Sequence, residues 1–300
     1  MPSLLDRLRW GPLVSVVVCT KNGMPYVREA MASLDRQTYR RFEVIVQDGA
    51  STDGTAEFLS SQPFERLEVA SEPDGGIGDA YNRAFARCSG AIVTTLDADN
   101  LLEPDALERA VAMFREYPDA AALYGVVHLV DGDAVSIRLF VPASFDIGAL
   151  MRCELVPPFS TSFFSRKACG QELRCDDSLE TCADFDLWLR LSHHEIMRTE
   201  HVLGRTRLSP KSMTRDPARY EQFCRDKITS LERFLDRRPE LTRERATSIA
   251  GIYCWAAESL LDLEGPSKRC RTMLQRAEKA VPKYERAERV KARFVDAAPV

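Results

Sequence analysis

Two aspartates separated by one residue, Asp97 and Asp99, close a run of six apolar or weakly polar residues, Ala91 to Leu96. Hard carboxylate oxygens at that spacing can share one side of a tight turn. There they can hold Mg2+ or Mn2+ against a diphosphate, with water and phosphate oxygens completing the shell. The competing reading is a helix start, with Asp99 or Asn100 as cap and Pro104 in the first turn. An EF-hand loop is excluded, because Leu101 and Leu102 stand where its next ligand and glycine should follow. Asp48 stands two residues beyond a second strand-like run, Phe42 to Val46. A carboxylate there can accept from a base N–H or a ribose hydroxyl, or it can close an Asx-type turn in the Gly/Ser/Thr/Asp loop that follows.

The elements that must position these acids alternate. Leu13 to Cys19 is β-branched and nearly continuous, which predicts a central strand. Pro25 starts a helix to about Leu34, and Phe42 to Val46 is a second strand. Gly54 to Ser61 is a helix capped by Asp53, and Leu67 to Ala70 a third strand. A helix from Ile77 to Arg87, the strand carrying Asp97 and Asp99, and a helix from Pro104 to Tyr117 complete four units. Strands alternating with helices predict an α/β fold with a mostly parallel central sheet and right-handed crossovers, the ligand lying beyond the carboxyl ends of the strands. Ala121 to Val127 and Ala134 to Phe140 read as two further strands around the turn Asp131-Gly132-Asp133. A dinucleotide-binding fold is excluded by the loop Thr20-Lys21-Asn22-Gly23, which has no Gly-x-Gly-x-x-Gly, and no Walker loop is present.

Composition bounds the class. Of 300 residues, 45% are apolar and 29% charged, which is ordinary for a globular chain. No window reaches the ~18 apolar residues of a membrane span, and no signal peptide is visible. Nine scattered cysteines without a Cys-x-x-Cys pair predict free thiols in a cytoplasmic setting, and they argue against disulfides and structural zinc. His128, His193, His194 and His201 show no ligand spacing. Up to Arg215 there are 23 basic and 31 acidic residues; from Asp216 onward there are 18 and 14. From Lys268 to Arg293 ten basic residues face three acidic ones. That run reads as a solvated helical face, or as a peripheral contact with anionic membrane. Leu4, Leu5 and Leu8, on one helical face, would add a small membrane foot.

The series Val14 to Asn22, Gln37-Thr38-Tyr39, Phe42 to Thr55, Ser71 to Asn82 and Leu96 to Asn100 resembles the family 2 glycosyltransferases, in order and at the usual spacing. Those are inverting, nucleotide-sugar-dependent enzymes of the GT-A fold. The resemblance implies nucleotide-sugar contacts at Thr20, Asn22, Asp48, Asp79, Arg83 and Asp97, and a metal, Mn2+ or Mg2+, at Asp99 and Asp97. Lys21 departs from the aromatic residue common in its slot. Thr181 to Arg190 resembles the family's acceptor-side motif, which implies Asp184 as general base. Ala183 replaces the usual Glu, leaving the base without its supporting acid.

An inverting transfer needs one carboxylate to take the acceptor proton. Thr181 and Asp184 equally match a Thr-x-x-Asp capping box, which would place Asp184 for helix stability alone. Asp186 points about 200° away from Asp184 at ~100° per residue. Pro157 to Ser162 resembles the acceptor-side loop. Arg205 to Thr214 resembles the closing loop, with Arg205, Arg207, Lys211 and Ser212 as candidates to cover the diphosphate.

The expected organisation is a GT-A-like catalytic domain over 1–215, with a nucleotide-sugar half at about 13–127 and an acceptor half at about 128–215. A helical extension over 216–300 follows, punctuated by Pro239 and Gly265-Pro266. The expected function is a metal-dependent, hexosyltransferase-like transfer of one sugar, from a UDP-sugar in preference, to a saccharide or lipid-linked acceptor. It would serve polysaccharide or glycoconjugate synthesis without nucleic acid. The alternatives are a degenerate nucleotide-sugar binder and a sugar-phosphate nucleotidyltransferase.

Overall fold

The structure is a computed structural model that describes residues 11–209 and 212–296. Leu4, Leu5, Leu8 and Lys211, each given a role above, lie outside the described residues. The chain clusters into two compact units that interleave in sequence. Unit 1 takes residues up to Ser144, Pro157–Ser178 and Leu191–Ser209; unit 2 takes Phe145–Val156, Leu179–Arg190 and the chain from Pro210.

Unit 1 begins with β1 (Val14–Thr20), α1 (Val27–Asp35), β2 (Phe42–Asp48), α2 (Thr55–Ser60), β3 (Leu67–Ser71), α3 (Ile77–Arg87) and β4 (Ile92–Thr95). It continues with the short β5 (Leu101–Leu102), α4 (Ala106–Glu116), β6 (Ala122–Val130) and β7 (Ser136–Phe140). Later segments add β8 (Phe163–Ser165), α5 (Arg166–Cys169) and β9 (Ile196–Arg207). Among the described residues these strands form one nine-stranded sheet, ordered β3-β2-β1-β4-β8-β6-β9-β5, with β7 on β6. The first four strands are parallel, as their continuous apolar runs require when both faces are covered; β8 then runs antiparallel, and beyond it the sheet is mixed.

Val14, Val16, Val17 and Val18 are fully buried on β1. Helix α1 meets the sheet through Val27, Ala30, Met31 and Leu34, the stripe expected of a helix lying on a core. At the start of β4, a side chain on Gly90 would stand 2.6 Å from the Ser15 amide nitrogen, so only glycine lets the two strands close. The adjoining Glu43 carboxylate, almost fully buried, accepts from the Ser15 hydroxyl (2.6 Å), the Ser89 amide and hydroxyl (2.6 and 2.7 Å) and the Gly90 amide (3.1 Å). This latch fixes β1, β2 and β4 against one another, and with them the far ends that carry the candidate site.

The sequence did not predict β9. It extends over Ile196–Arg207 and places Arg205 and Arg207, expected in a closing loop, inside a strand paired with β6 and β5.

Unit 2 holds α6 (Ile147–Met151), most of α7 (Ala183–Leu191), and the helices α8 (Tyr220–Arg237), α9 (Arg245–Glu264), α10 (Lys268–Ala280) and α11 (Glu285–Asp296). Its core is built from Leu231, Phe234, Leu235, Leu260, Met273 and Leu274. Arg286, almost buried, donates to both oxygens of Glu258 (2.9 and 2.6 Å) and to the Arg152 carbonyl (2.8 Å), tying α11 to α9 and to the segment after α6. Ion pairs engage six of the ten basic residues between Lys268 and Arg293. Arg269 pairs with Glu264, Arg276 with Glu221, Arg286 with Glu258, Arg289 with Glu285, Lys291 with Glu278 and Glu288, and Arg293 with Asp262. No helix among the described residues is long and apolar enough to cross a membrane. All nine cysteines are buried, and none is in a disulfide.

Candidate functional site

The parallel register aligns the carboxyl ends of three strands. Thr20 lies opposite Asp48, and Asp48 opposite Ser71. Thr20 Oγ1 is enclosed and has no hydrogen-bond partner among the described residues, an unmet polar group at the edge where such sheets bind ligands. Asp48 is fully buried. One oxygen accepts from the Ser51 amide (2.9 Å) and the Ser71 hydroxyl (2.6 Å), and the other from the Ser51 hydroxyl. Those bonds build the Asx-type turn weighed above. Asn22 has φ +54°; its amide donates to Ser51 Oγ (2.6 Å) and its Oδ1 accepts from the Thr52 amide (2.9 Å), stapling the loops after β1 and β2 together. Asp79 accepts from the Gly75 amide (2.8 Å) and pairs with Arg83 (2.7 Å), which also reaches Glu72 (3.0 Å). The Gly75 amide and the Arg83 guanidinium hold the Asp79 carboxyl below its ordinary value.

The Asp97–Asp99 turn is held from three sides. The Tyr81 hydroxyl donates to Asp97 Oδ1 (2.5 Å), Asn100 Nδ2 donates to Oδ2 (3.2 Å), and the Asp97 amide donates to Ser160 Oγ (3.0 Å). Burial first, then the Asp97 charge, push the Tyr81 phenol well up, so it remains a donor. The loop Pro157 to Ser162 is lashed to β4: Thr95 Oγ1 donates to the Phe159 carbonyl and Thr94 Oγ1 to that of Ser162, both at 2.7 Å.

Arg207 supports the turn from behind. Its fully buried guanidinium donates to the carbonyls of Asp99 (3.0 Å), Asp131 (3.2 Å) and Gly132, pairs with Glu29 (2.9 Å), and lies 4.5 Å from the centre of the Tyr26 ring. These bonds commit Arg207 to the scaffold, and the diphosphate-covering role expected of it is corrected accordingly. Arg205 pairs with Glu103 (2.8 Å).

The donor set suits the implied metal. Asp97 and Asp99 offer carboxylate oxygens, each with two lone pairs. A hard divalent cation with retained water matches an all-oxygen set.

In unit 2 the two acids of α7 separate in role. Asp186 is buried, pairs with Arg190 (2.7 Å) and accepts from Ser230 Oγ (2.8 Å). The amide and the hydroxyl of Thr181 both donate to Asp226 Oδ2, at 2.7 and 2.8 Å, and so are engaged outside a capping box with Asp184. Asp184 is half-buried and has no hydrogen-bond or ion-pair partner among the described residues.

Sequence reasoning passed over Lys227. It is almost fully buried, with its ammonium 4.2 Å from the centre of the Phe185 ring and 4.8 Å from that of Trp255. Burial lowers its pKa, but the Cys153 and Cys182 sulfurs and the Asp184 carboxylate raise it by more, and the group stays charged. Lys227 occupies an ordinary amphipathic helix and carried no signal in sequence. Tyr81 and Ser160 lie in segments that carry the resemblance, but their bonds to Asp97 were not legible, because that partner is distant in the chain.

The glycosyl transferase family 2 model matches residues 15–165. A chondroitin synthase of Escherichia coli is 29% identical over 197 residues, covering 64% of this chain and 28% of the relative. The putative teichuronic acid biosynthesis glycosyltransferase TuaG of Bacillus subtilis is 28% identical over 188 residues, covering 61% of this chain and 73% of the relative. The chain thus spans between a quarter and two fifths of several of its curated relatives, including 37% of an uncharacterised glycosyltransferase of Rickettsia felis.

Among solved structures, S. aureus TarS 1–349 in complex with UDP-GlcNAc superposes with a TM-score of 0.66 at 19% identity, covering 95% of this chain and 88% of that one. The mannosyltransferase PcManGT of Pyrobaculum calidifontis, in complex with GDP-Man and Mn2+, gives 0.60 at 17% identity, covering 94% and 79%. These likenesses establish the GT-A fold.

Proposed function

The chain belongs to glycosyl transferase family 2, and from that premise we propose that it moves one sugar from a UDP-sugar to an acceptor hydroxyl in a single displacement with inversion. The acceptor is a saccharide or a lipid-linked saccharide, and the setting is polysaccharide or glycoconjugate synthesis in the cytoplasm. Thr20, with its unmet hydroxyl, and Asp97 meet the nucleotide, while Asn22, Asp48, Asp79 and Arg83 shape the loops around it. Mn2+ or Mg2+, bound through Asp99 and Asp97, supplies positive charge to the diphosphate leaving group. Asp184 takes the acceptor proton as the acceptor oxygen bonds to the anomeric carbon. The bond from that carbon to the diphosphate oxygen breaks, and its electron pair leaves with the diphosphate.

The observation that carries the reading is the half-buried Asp184 carboxylate, without a hydrogen-bond or ion-pair partner among the described residues and set two residues from an Asp186 that is spent on Arg190 and Ser230. The UDP-GlcNAc complex of the S. aureus neighbour supports a uridine donor, and the GDP-Man complex of the Pyrobaculum neighbour makes guanosine the competing base. Donor chemistry over about 13–127, acceptor chemistry over about 128–215 and a helical extension from 216 remain the proposed division of the chain. The ion pairs along Lys268 to Arg293 favour a solvated face over a membrane contact there.

The test is a thermal-shift panel of UDP- and GDP-sugars with and without Mn2+, since selective binding raises the midpoint by mass action. A Mn2+-dependent shift confined to UDP-sugars supports the reading. Equal, metal-independent shifts across the panel, or none, contradict it.

A further inference from the structure

Glu172 ends the short 3-10 turn Gly170–Glu172, while His193 and His194 lie in the turn that leads into β9, and both segments belong to unit 1. Adjacent side chains ordinarily diverge. Here the turn, closed by the His194 amide on the Leu191 carbonyl (2.9 Å), brings the two imidazoles to 4.0 Å between ring centres. Both present Nε2 to the same oxygen of Glu172, His194 at 2.8 Å and His193 at 3.6 Å. The three ligand atoms lie within 4.8 Å of one another.

We propose that Glu172, His193 and His194 form a binding site for a zinc-class divalent cation, separate from the Asp97–Asp99 turn and acting as a clip between two segments of unit 1. Ligands at ~2.0–2.2 Å from a tetrahedral ion stand about 3.4 Å apart, and the two observed separations bracket that distance. Imidazole nitrogen selects Zn2+, Co2+ or Ni2+ over the hard cations that an all-oxygen set prefers. Two imidazoles and one carboxylate leave a fourth position for water. All three side chains are partly exposed, so an ion can enter without local unfolding. The ion exerts its effect on the stability of unit 1. Sequence reading found no ligand spacing for these histidines because their third partner is 21 residues away from His193.

The test uses the full-length chain without an affinity tag, stripped of metal and held in excess Mg2+ with no nucleotide. Calorimetric titration with Zn2+ is expected to give one equivalent and to raise the thermal midpoint. Replacing both histidines, His193→Gln with His194→Gln, is expected to weaken binding by at least ~10-fold, the scale on which even outer-shell partners act. The double variant Asp97→Asn with Asp99→Asn is expected to bind Zn2+ as the parent does, which keeps this result independent of the glycosyl-transfer reading. Co2+ in the parent chain should give an absorption spectrum without thiolate charge transfer. No heat and no midpoint shift with Zn2+, unchanged affinity in the double-histidine variant, or a thiolate band with Co2+ would each overturn the proposal.

Discussion

Asp226 and Thr181 are joined twice: one carboxylate oxygen of Asp226 accepts both the amide and the hydroxyl of Thr181. Gln222 holds the other oxygen at 2.7 Å. A residue of α8 thereby does at the start of α7 what the sequence pattern assigned to Asp184. Replacing Asp226 with Ala leaves the buried Thr181 amide without its acceptor and the hydroxyl with only the Cys182 sulfur at 3.3 Å, at a cost of ~1–3 kcal/mol. Urea unfolding of Asp226→Ala is expected to show a loss within that range, and an unchanged midpoint would mean the Thr181 bonds carry no weight.

Tyr81→Phe removes the donor to Asp97 and leaves the ring, with its contacts to Phe85 and Phe159, in place. A hydrogen bond to a charged group is worth ~1.5–3 kcal/mol. With Asp97 less firmly aimed, affinity for UDP with Mn2+ should fall on the order of tenfold, equivalent to ~1.4 kcal/mol. Calorimetry decides this, and equal affinity in the variant would show that Asp97 is positioned without Tyr81.

Glu43 makes stability depend on pH. Burial pushes its carboxyl up, but bonds from Ser15, Ser89 and Gly90 outweigh burial and hold it below 4.5. A depressed folded pKa gives stabilisation that is complete above the unfolded value and is lost as pH falls through the folded one. Glu43→Gln should therefore be less stable than the parent at pH 7, and the gap should narrow as pH falls below about 4.5. Chemical unfolding at pH 7 and at pH 3.5 measures the gap; a constant gap would contradict the assignment.

Much of unit 1 is legible in the sequence because local pattern and tertiary role agree there. The run Val14 to Cys19 is apolar but for Ser15 and is buried on both faces, and the predicted bounds of α3 coincide with the observed ones. Strand β9 was missed because its Arg198, Glu200 and Arg205 are polar and its stability comes from pairing with β6 and β5, far away in the chain. Arg207 was read as a phosphate ligand for the same reason: nothing local says that its partners are Glu29, Asp99, Asp131 and Gly132. Asp184 is the sharpest case. Thr-x-x-Asp has the spacing of a capping box, and only Asp226, 45 residues beyond Thr181, shows where the Thr181 donors go.

The most direct test of the account is transfer by Asp184→Asn. The substitution keeps size and polarity, and Asp184 has no hydrogen-bond or ion-pair partner among the described residues, so the folded state should be retained with Lys227 losing only part of the field that keeps it charged. Losing a positioned base typically lowers the rate by ~10²–10⁴-fold. The proposed base serves the acceptor, so the variant is expected to bind UDP-sugar and Mn2+ as the parent does while transferring sugar at a rate reduced by that factor. Transfer near the parental rate by a folded, donor-binding Asp184→Asn would contradict the account and remove Asp184 from the chemistry.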